Sequence, residues 1–324
     1  MASADTDSAS EPDAGSPSAR PSQGPRSVEP PGNASADAPT SDAPDGPVDA
    51  APGSPSRAGR NLPQAIGVGV GLGALVVLSL AFHRQLFAVV MAAAILVGVW
   101  ELHRAFATVH IKVAVVPLAA GCLSMIASAL YRGAESLILT FGLTCIAVLV
   151  WRMADGVVGA ARDVMGSLFV AVYPCFLAGF PALMLAKDDG HWRIVLFILV
   201  TVCSDVGGYA AGVLFGKHPM APSVSPKKSW EGFGGSMVLS AVAGALGIRL
   251  MLDGLWWQGV VLGAVVAVAA TLGDLAESLI KRDLGIKDMG TILPGHGGIM
   301  DRLDSLIICA PVTWALLVWF VPNG

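Results

Sequence analysis

Residues 194–215 read IVLFILVTVCSDVGGYAAGVLF, a run of 22 residues with one charge, Asp205. A bilayer core is crossed by about 20 consecutive apolar residues in a helix. In lipid every backbone amide must be satisfied within the segment, and a helix does that. The run therefore predicts a transmembrane helix carrying one carboxylate. Working outward, eight further apolar runs predict spans at 66–82, 86–100, 113–130, 137–151, 166–185, 235–251, 255–272 and 306–321. The expected fold is an all-α integral membrane protein of about nine transmembrane helices. Composition agrees: the chain is 54% hydrophobic and 14% charged, against about 25% charged residues in soluble domains.

Residues 1–60 differ in kind. They hold nine acids, four arginines and no aromatic residue, and are rich in Ala, Ser, Pro and Asp. Such a segment buries too little apolar surface to offset the entropy of ordering. It predicts a disordered tail ahead of a multi-span catalytic membrane domain at 61–324. No apolar run precedes residue 60, so a cleaved secretory signal is not expected. The five cysteines all fall within apolar runs without CxxC spacing and read as small buried hydrophobes. Trp100-Glu101, Trp151-Arg152 and Trp192-Arg193 read as interfacial belts, and Asp155 and Asp163 as residues of a solvated loop.

Loop charge gives direction. With the amino terminus inside, the inner loops carry eleven lysines and arginines, among them Arg104, Arg152, Lys217 and Arg282, and the outer loops carry five. The positive-inside rule favours this orientation. It puts the amino terminus and the motif loops 216–234 and 273–305 in the cytoplasm.

Three clusters carry chemistry. In the first, Asp205 in its apolar run must pair, bind a metal or become neutral. Gly207, Gly208 and Gly212 beside it suit close helix packing. In the second, Ser225-Pro226 reads as a helix start, a serine cap followed by a first-turn proline. Free amides there attract anions, and Lys227 and Lys228 add cations; the competing reading is a basic patch on lipid head groups. The third runs from Gly273 to Ser305. Asp274, Glu277 or Ser278, and Lys281 share one helical face, as do Asp301 and Asp304. Magnesium takes such oxygen ligands together with substrate phosphate. Pro294 to Gly298, PGHGG, permits a turn with positive φ and bare amides, where His296 contacts phosphate or bridges the turn.

At these residues the chain resembles the phosphatidate cytidylyltransferase (CDP-diacylglycerol synthase) family. The family signature appears as Ser278, Lys281-Arg282, Lys287-Asp288, Pro294 to Gly298 and Asp301-Arg302-Leu303-Asp304. The stretches from Ser204 to Lys217 and from Ser225 to Gly232 match as well. Val206 and Gly208 stand where many relatives carry threonine and alanine, so the resemblance implies no hydroxyl contact at 206. It implies transfer of the cytidylyl group of CTP to phosphatidate for phospholipid synthesis, by a multi-pass homodimer in the inner membrane whose active site faces the cytoplasm. Its partners are then CTP, phosphatidate and membrane lipids, with no nucleic acid. Catalytic roles fall on Lys227, Lys228, Asp274, Lys281, Arg282, Asp288, His296 and Arg302. Substrate contacts fall on Ser204, Ser225, Ser278, Lys287, Gly297 and Gly298. Magnesium ligation falls on Asp205, Asp274, Asp301 and Asp304, with a second cation left open. The competing classes are another CTP-using lipid enzyme and an ion-coupled transporter; no inverted repeat, which a transporter would favour, is visible.

The orientation is testable directly. Lys228→Cys is expected to react with an impermeant thiol reagent in inside-out vesicles and not in right-side-out ones; the reverse labelling pattern overturns the assignment.

Overall fold

The structure, a computed structural model, describes residues 62–292 and 297–321. The predicted tail at 1–60 and His296 lie outside the described residues. Ten helices follow in order: α1 (Leu62–Phe82), α2 (Arg84–Ala107), α3 (Val115–Arg132), α4 (Ala134–Met153), α5 (Ala160–Val170), α6 (Gly179–Leu185), α7 (Gly190–Phe215), α8 (Trp230–Met251), α9 (Trp256–Asp283) and α10 (Met300–Phe320). A π-helical turn, Ala171–Phe176, joins α5 to α6, and these three pieces form one membrane-length rod from Ala160 to Leu185. Each of the nine predicted runs overlaps one rod. Among the described residues, eight rods are long and apolar enough to cross a bilayer, and Gly69–Phe82 of α1 adds a shorter apolar helix. The chain is thus an all-α membrane protein.

Side chains sort as lipid requires. Ile138, Leu139, Leu143, Ile146 and Val150 of α4 are exposed, and so are Val238, Val242 and Leu246 of α8. Such faces suit contact with hydrocarbon. Inward-facing residues form two apolar clusters. One surrounds Leu102, Leu118, Met125 and Met300; the other surrounds Leu196, Ile248, Leu262 and Leu317. Cys122, Cys175 and Cys309 are buried, and all five thiols are free.

Helices α7, α8 and α9 approach through backbone rather than through side chains. A Cβ at Gly207 would lie 2.5 Å from the Gly235 carbonyl oxygen. One at Gly259 would overlap the Gly244 carbonyl, and one at Gly263 would overlap that of Ser240. Ser236 Oγ donates to Ser204 O at 2.7 Å, and Ser240 Oγ donates to Val200 O at 3.0 Å. The glycines near Asp205 are therefore packing residues, as the sequence suggested. Gly232 and Gly235 serve the same interface, whereas Gly234 faces open space.

Three expectations change. The stretch from Ser225 does not start a helix. Ser225–Ser229 is a strand, β2, paired antiparallel with β1 (Pro219–Ala221). Pro226 is tolerated there because a two-stranded ribbon is all edge. The helix cap falls at Ser229, whose extended backbone (φ −121°, ψ 157°) lets its Oγ accept from Gly232 N at 3.1 Å. Next, the stretch 273–305 is helical at both ends, since α9 runs to Asp283 and α10 starts at Met300. Polar side chains facing a cleft hide a helix from hydropathy. Lastly, Asp163 is not a solvated loop residue. It is 3% exposed, pairs with Arg152 at 2.9 Å and accepts from Lys112 N at 2.8 Å. Arg152 also donates to the Gly156 and Val158 carbonyls, fixing the α4–α5 turn.

Because Gly259 meets backbone, Gly259→Ala is expected to destabilise the protein by about 1–3 kcal/mol through overpacking. Thermal unfolding in detergent, with Gly234→Ala as an unaffected reference, measures this.

Candidate functional site

Helices α7 and α9 finish, and α8 and α10 start, at the same end of the bundle. There they enclose a cleft of about 460 Å³. Helix α7 contributes Ser204 and Asp205, and the β1–β2 hairpin contributes Lys227 and Lys228. Helix α9 adds Asp274 and Ser278, and α10 adds Asp301, Arg302 and Asp304. All four carboxylates expected to hold metal thus share one cavity. The i, i+3 spacing of Asp301 and Asp304 puts both on the cleft face of α10.

The charges are arranged in two tiers. Facing the cleft, Lys228 Nζ lies 2.6 Å from Asp274 Oδ2, and each side chain is roughly a quarter exposed (27% and 28%). Asp205 is the neighbour of both Asp274 and Asp304 and is hydrogen-bonded to Ser305. Behind the wall, Lys281 Nζ lies 2.9 Å from Glu277 Oε2 and 2.6 Å from Asp301 Oδ1. Glu277 is 1% exposed and the Asp301 side chain 5%. Asp301 also accepts from Met289 N at 3.0 Å and Gly298 N at 2.7 Å, so both its oxygens are engaged.

The remaining expected residues surround this core. Gly297 has φ +80°, the left-handed conformation that glycine adopts without strain. Asp288 packs beside it: a Cβ at Gly297 would stand 3.5 Å from Asp288 Oδ1. Arg282, Lys287 and Asp288 are exposed, and neither they nor Gly297 and Gly298 are among the residues lining the cleft. Ser225, at the far end of β2, and Lys281, behind the wall, are not among the residues lining the cleft.

Sequence reasoning missed two buried groups. Glu101, on α2, accepts from Ile299 N and Met300 N at the start of α10. Its only sequence signal was a place beside Trp100 at the end of an apolar run. Tyr173 sits on the π-helical turn and is 6% exposed, facing the Glu277, Asp304 and Asp274 charges. Its hydroxyl has no hydrogen-bond partner among the described residues. Nothing in the local sequence announces it.

The donor set is compatible with magnesium. Asp205, Asp274 and Asp304 offer hard oxygens to one cavity. Among the described residues, no three acidic, histidine or cysteine side chains form a ready-made metal cage. Magnesium usually takes one or two carboxylates and completes its shell with water and substrate phosphate, so an open set suits it.

A polytopic helical bundle that gathers carboxylates and cations in one cleft at its end is a membrane protein with a highly charged site among its helices. The chain belongs to the cytidylyltransferase family, whose model matches residues 63–320. It is 40% identical over 278 residues to the phosphatidate cytidylyltransferase of Mycobacterium leprae (strain TN), covering 81% of this chain and 89% of that protein. It is 38% identical over 274 residues to the phosphatidate cytidylyltransferase of Mycobacterium bovis, covering 81% and 90%. Over 131 residues it is 44% identical to that of Helicobacter pylori (strain ATCC 700392 / 26695), covering 40% and 49%.

Removing one partner of a buried ion pair costs about 3–5 kcal/mol, because the other charge is stranded. Lys281→Met is expected to cost that much stability, read by chemical unfolding in detergent. Adding Glu277→Gln, which neutralises one stranded acid, is expected to restore part of it.

Proposed function

We propose that this chain transfers the cytidylyl group of CTP to phosphatidate, forming CDP-diacylglycerol and pyrophosphate. The observation that carries the reading is the single cleft in which Asp205, Asp274 and Asp304 stand beside Lys227, Lys228 and Arg302. Two polyanions must meet for this reaction, so their repulsion is the main obstacle.

The chemistry needs no protein nucleophile. A phosphate monoester loses its second proton near pH 6, about the value for phosphoproteins, so the lipid phosphate is already largely a dianion. One of its oxygens forms a bond to the α-phosphorus of CTP. The bond from that phosphorus to the bridging oxygen breaks, and pyrophosphate leaves with the electron pair. What the chain supplies is alignment and charge. Lys228, drawn from Asp274 toward an arriving phosphate, offsets negative charge on the triphosphate. Lys227 and Arg302 border the same space and attract the second anion. Serine hydroxyls at 204 and 278 offer neutral hydrogen bonds. Asp205, Asp274 and Asp304 would hold magnesium, which when bound would supply further neutralisation and polarise the α-phosphorus. Asp301, with its oxygens taken by Lys281 and amides, anchors the wall.

The same reading puts the cleft at the cytoplasmic face of the inner membrane, where CTP is made, and the protein in a homodimer. Cross-linking of the purified protein in detergent tests the dimer; only monomer under all conditions overturns it.

Purified protein is assayed with labelled CTP, with and without phosphatidate and magnesium. Pyrophosphate release requiring both, with CDP-diacylglycerol as the lipid product, is expected. A different lipid product redirects the reading to another CTP-using enzyme, and the absence of lipid-dependent turnover overturns it. Asp274→Asn is expected to lower kcat on the order of 10²-fold or more in a folded, membrane-inserted protein; near-normal activity at saturating magnesium removes Asp274 from the ligand set.

A further inference from the structure

Between α9 and α10 the chain makes the loop that carries Asp288 and the glycine turn, and it must deliver Asp301 and Asp304 to the cleft in register. A helix start leaves several amides without intrahelical partners, and a local side chain usually caps them. Here the residue before α10, Ile299, provides no side-chain cap. The partner comes from α2. Glu101 Oε1 accepts from Ile299 N at 3.0 Å, and Oε2 accepts from Met300 N at 2.8 Å. Glu101 is 1% exposed and sits between Leu102 (0%) and Val99 (1%), both in the apolar core. A buried carboxylate in such surroundings is costly unless it is hydrogen-bonded.

The loop is shaped around this one side chain at both ends. A Cβ at Gly290 would overlap Glu101 Oε1, and a Cβ at Gly298 would come within 2.6 Å of Oε2. One turn earlier on α2, Gly98 leaves room for the Met300 sulfur, 3.2 Å from where a Cβ would stand. Departing and returning loop strands therefore both close on Glu101. On the opposite side Asp301 takes the Gly298 and Met289 amides. Successive amides 298, 299 and 300 are thus divided between a carboxylate of α10 itself and one from α2.

We infer that Glu101 is a positioning residue for the reaction proposed above: it fixes the first turn of α10 and both ends of the preceding loop, and so sets where Asp301, Arg302 and Asp304 stand in the cleft. The side-chain type is specific. A carboxylate can accept through both oxygens, whereas glutamine has one acceptor oxygen and turns an NH2 against the second amide. Glu101→Gln keeps the shape and loses one of the two bonds; Glu101→Asp keeps both acceptors on a shorter arm.

The inference rests on the cytidylyl-transfer reading only for its kinetic arm. Purified Glu101→Gln, Glu101→Asp and wild type are compared by hydrogen exchange, by thermal unfolding and by turnover of CTP with phosphatidate. Expected are faster exchange confined to 286–303 in Glu101→Gln, a kcat about 10-fold to 100-fold below wild type (the range seen for outer-shell partners), and a KM for CTP within about 3-fold by the same principle of lost orientation rather than lost binding. Glu101→Asp is expected to recover part of both. Wild-type exchange at 299–300 in Glu101→Gln overturns the inference, as does normal kcat despite loosened amides. Loss of protection spread evenly over the bundle, with kcat falling only in step with the unfolding temperature, also overturns it, since that marks a general packing role. If wild type itself shows no cytidylyl transfer, the functional reading fails while the exchange experiment still decides whether Glu101 holds the loop.

Discussion

One ammonium group organises the working end of this bundle. Lys281 lies between Glu277 on its own helix and Asp301 on the next, in surroundings where water is scarce. The i, i+4 spacing on α9 brings Glu277 and Lys281 together without tertiary help. Asp301 then carries the connection across to α10. Its oxygens also collect the amides of Met289 and Gly298, so the ion pair, the glycine turn and the helix start form one continuous structure. Each member is costly to bury alone and tolerable in company. Disturbing any of them disturbs where the cleft carboxylates stand.

Exposure separates the charges that build the cleft from those that work in it. The Lys281 network is nearly sealed, and a buried pair stripped of one member loses about 3–5 kcal/mol. The Lys228–Asp274 pair is about a quarter exposed on each side. It is only part-buried, so an arriving phosphate can reach the lysine and take the carboxylate's place beside it. Position on a strand rather than a helix serves the same end. The hairpin β1–β2 holds Lys227 and Lys228 over the cleft while Ser229 turns the chain into α8.

Much of this was legible in the sequence because lipid imposes a severe rule. A run such as 194–215 has few alternatives to a helix, and Asp205 within it needs a partner. The spacing of Asp274, Ser278 and Lys281 gave a shared face without coordinates, although Lys281 turned to the wall rather than to the cleft. What stayed hidden depends on residues far apart in the chain. Ser225-Pro226 has the local chemistry of a helix start, and only pairing with Pro219–Ala221 makes it a strand. Asp163 looks solvated until Arg152 folds back onto it. Glu101 lies 198 and 199 positions from the two amides it holds, and no local pattern encodes that distance. Gly235, Gly244, Gly259 and Gly263 look like ordinary weak points of a span until each is seen against a carbonyl.

Those glycine contacts also govern how this region can move. Where helices meet through side chains, a change of rotamer lets one slide past another. Carbonyl oxygens pressed against bare α-carbons, as at Gly244 and Gly259, have no rotamers to change. Helices α7, α8 and α9 are therefore locked together by backbone contacts that no change of side-chain rotamer can relieve. The wall that α7 and α9 give the cleft is thus set by backbone fit, and a side chain added at Gly244 or Gly259 would shift a whole helix rather than one rotamer.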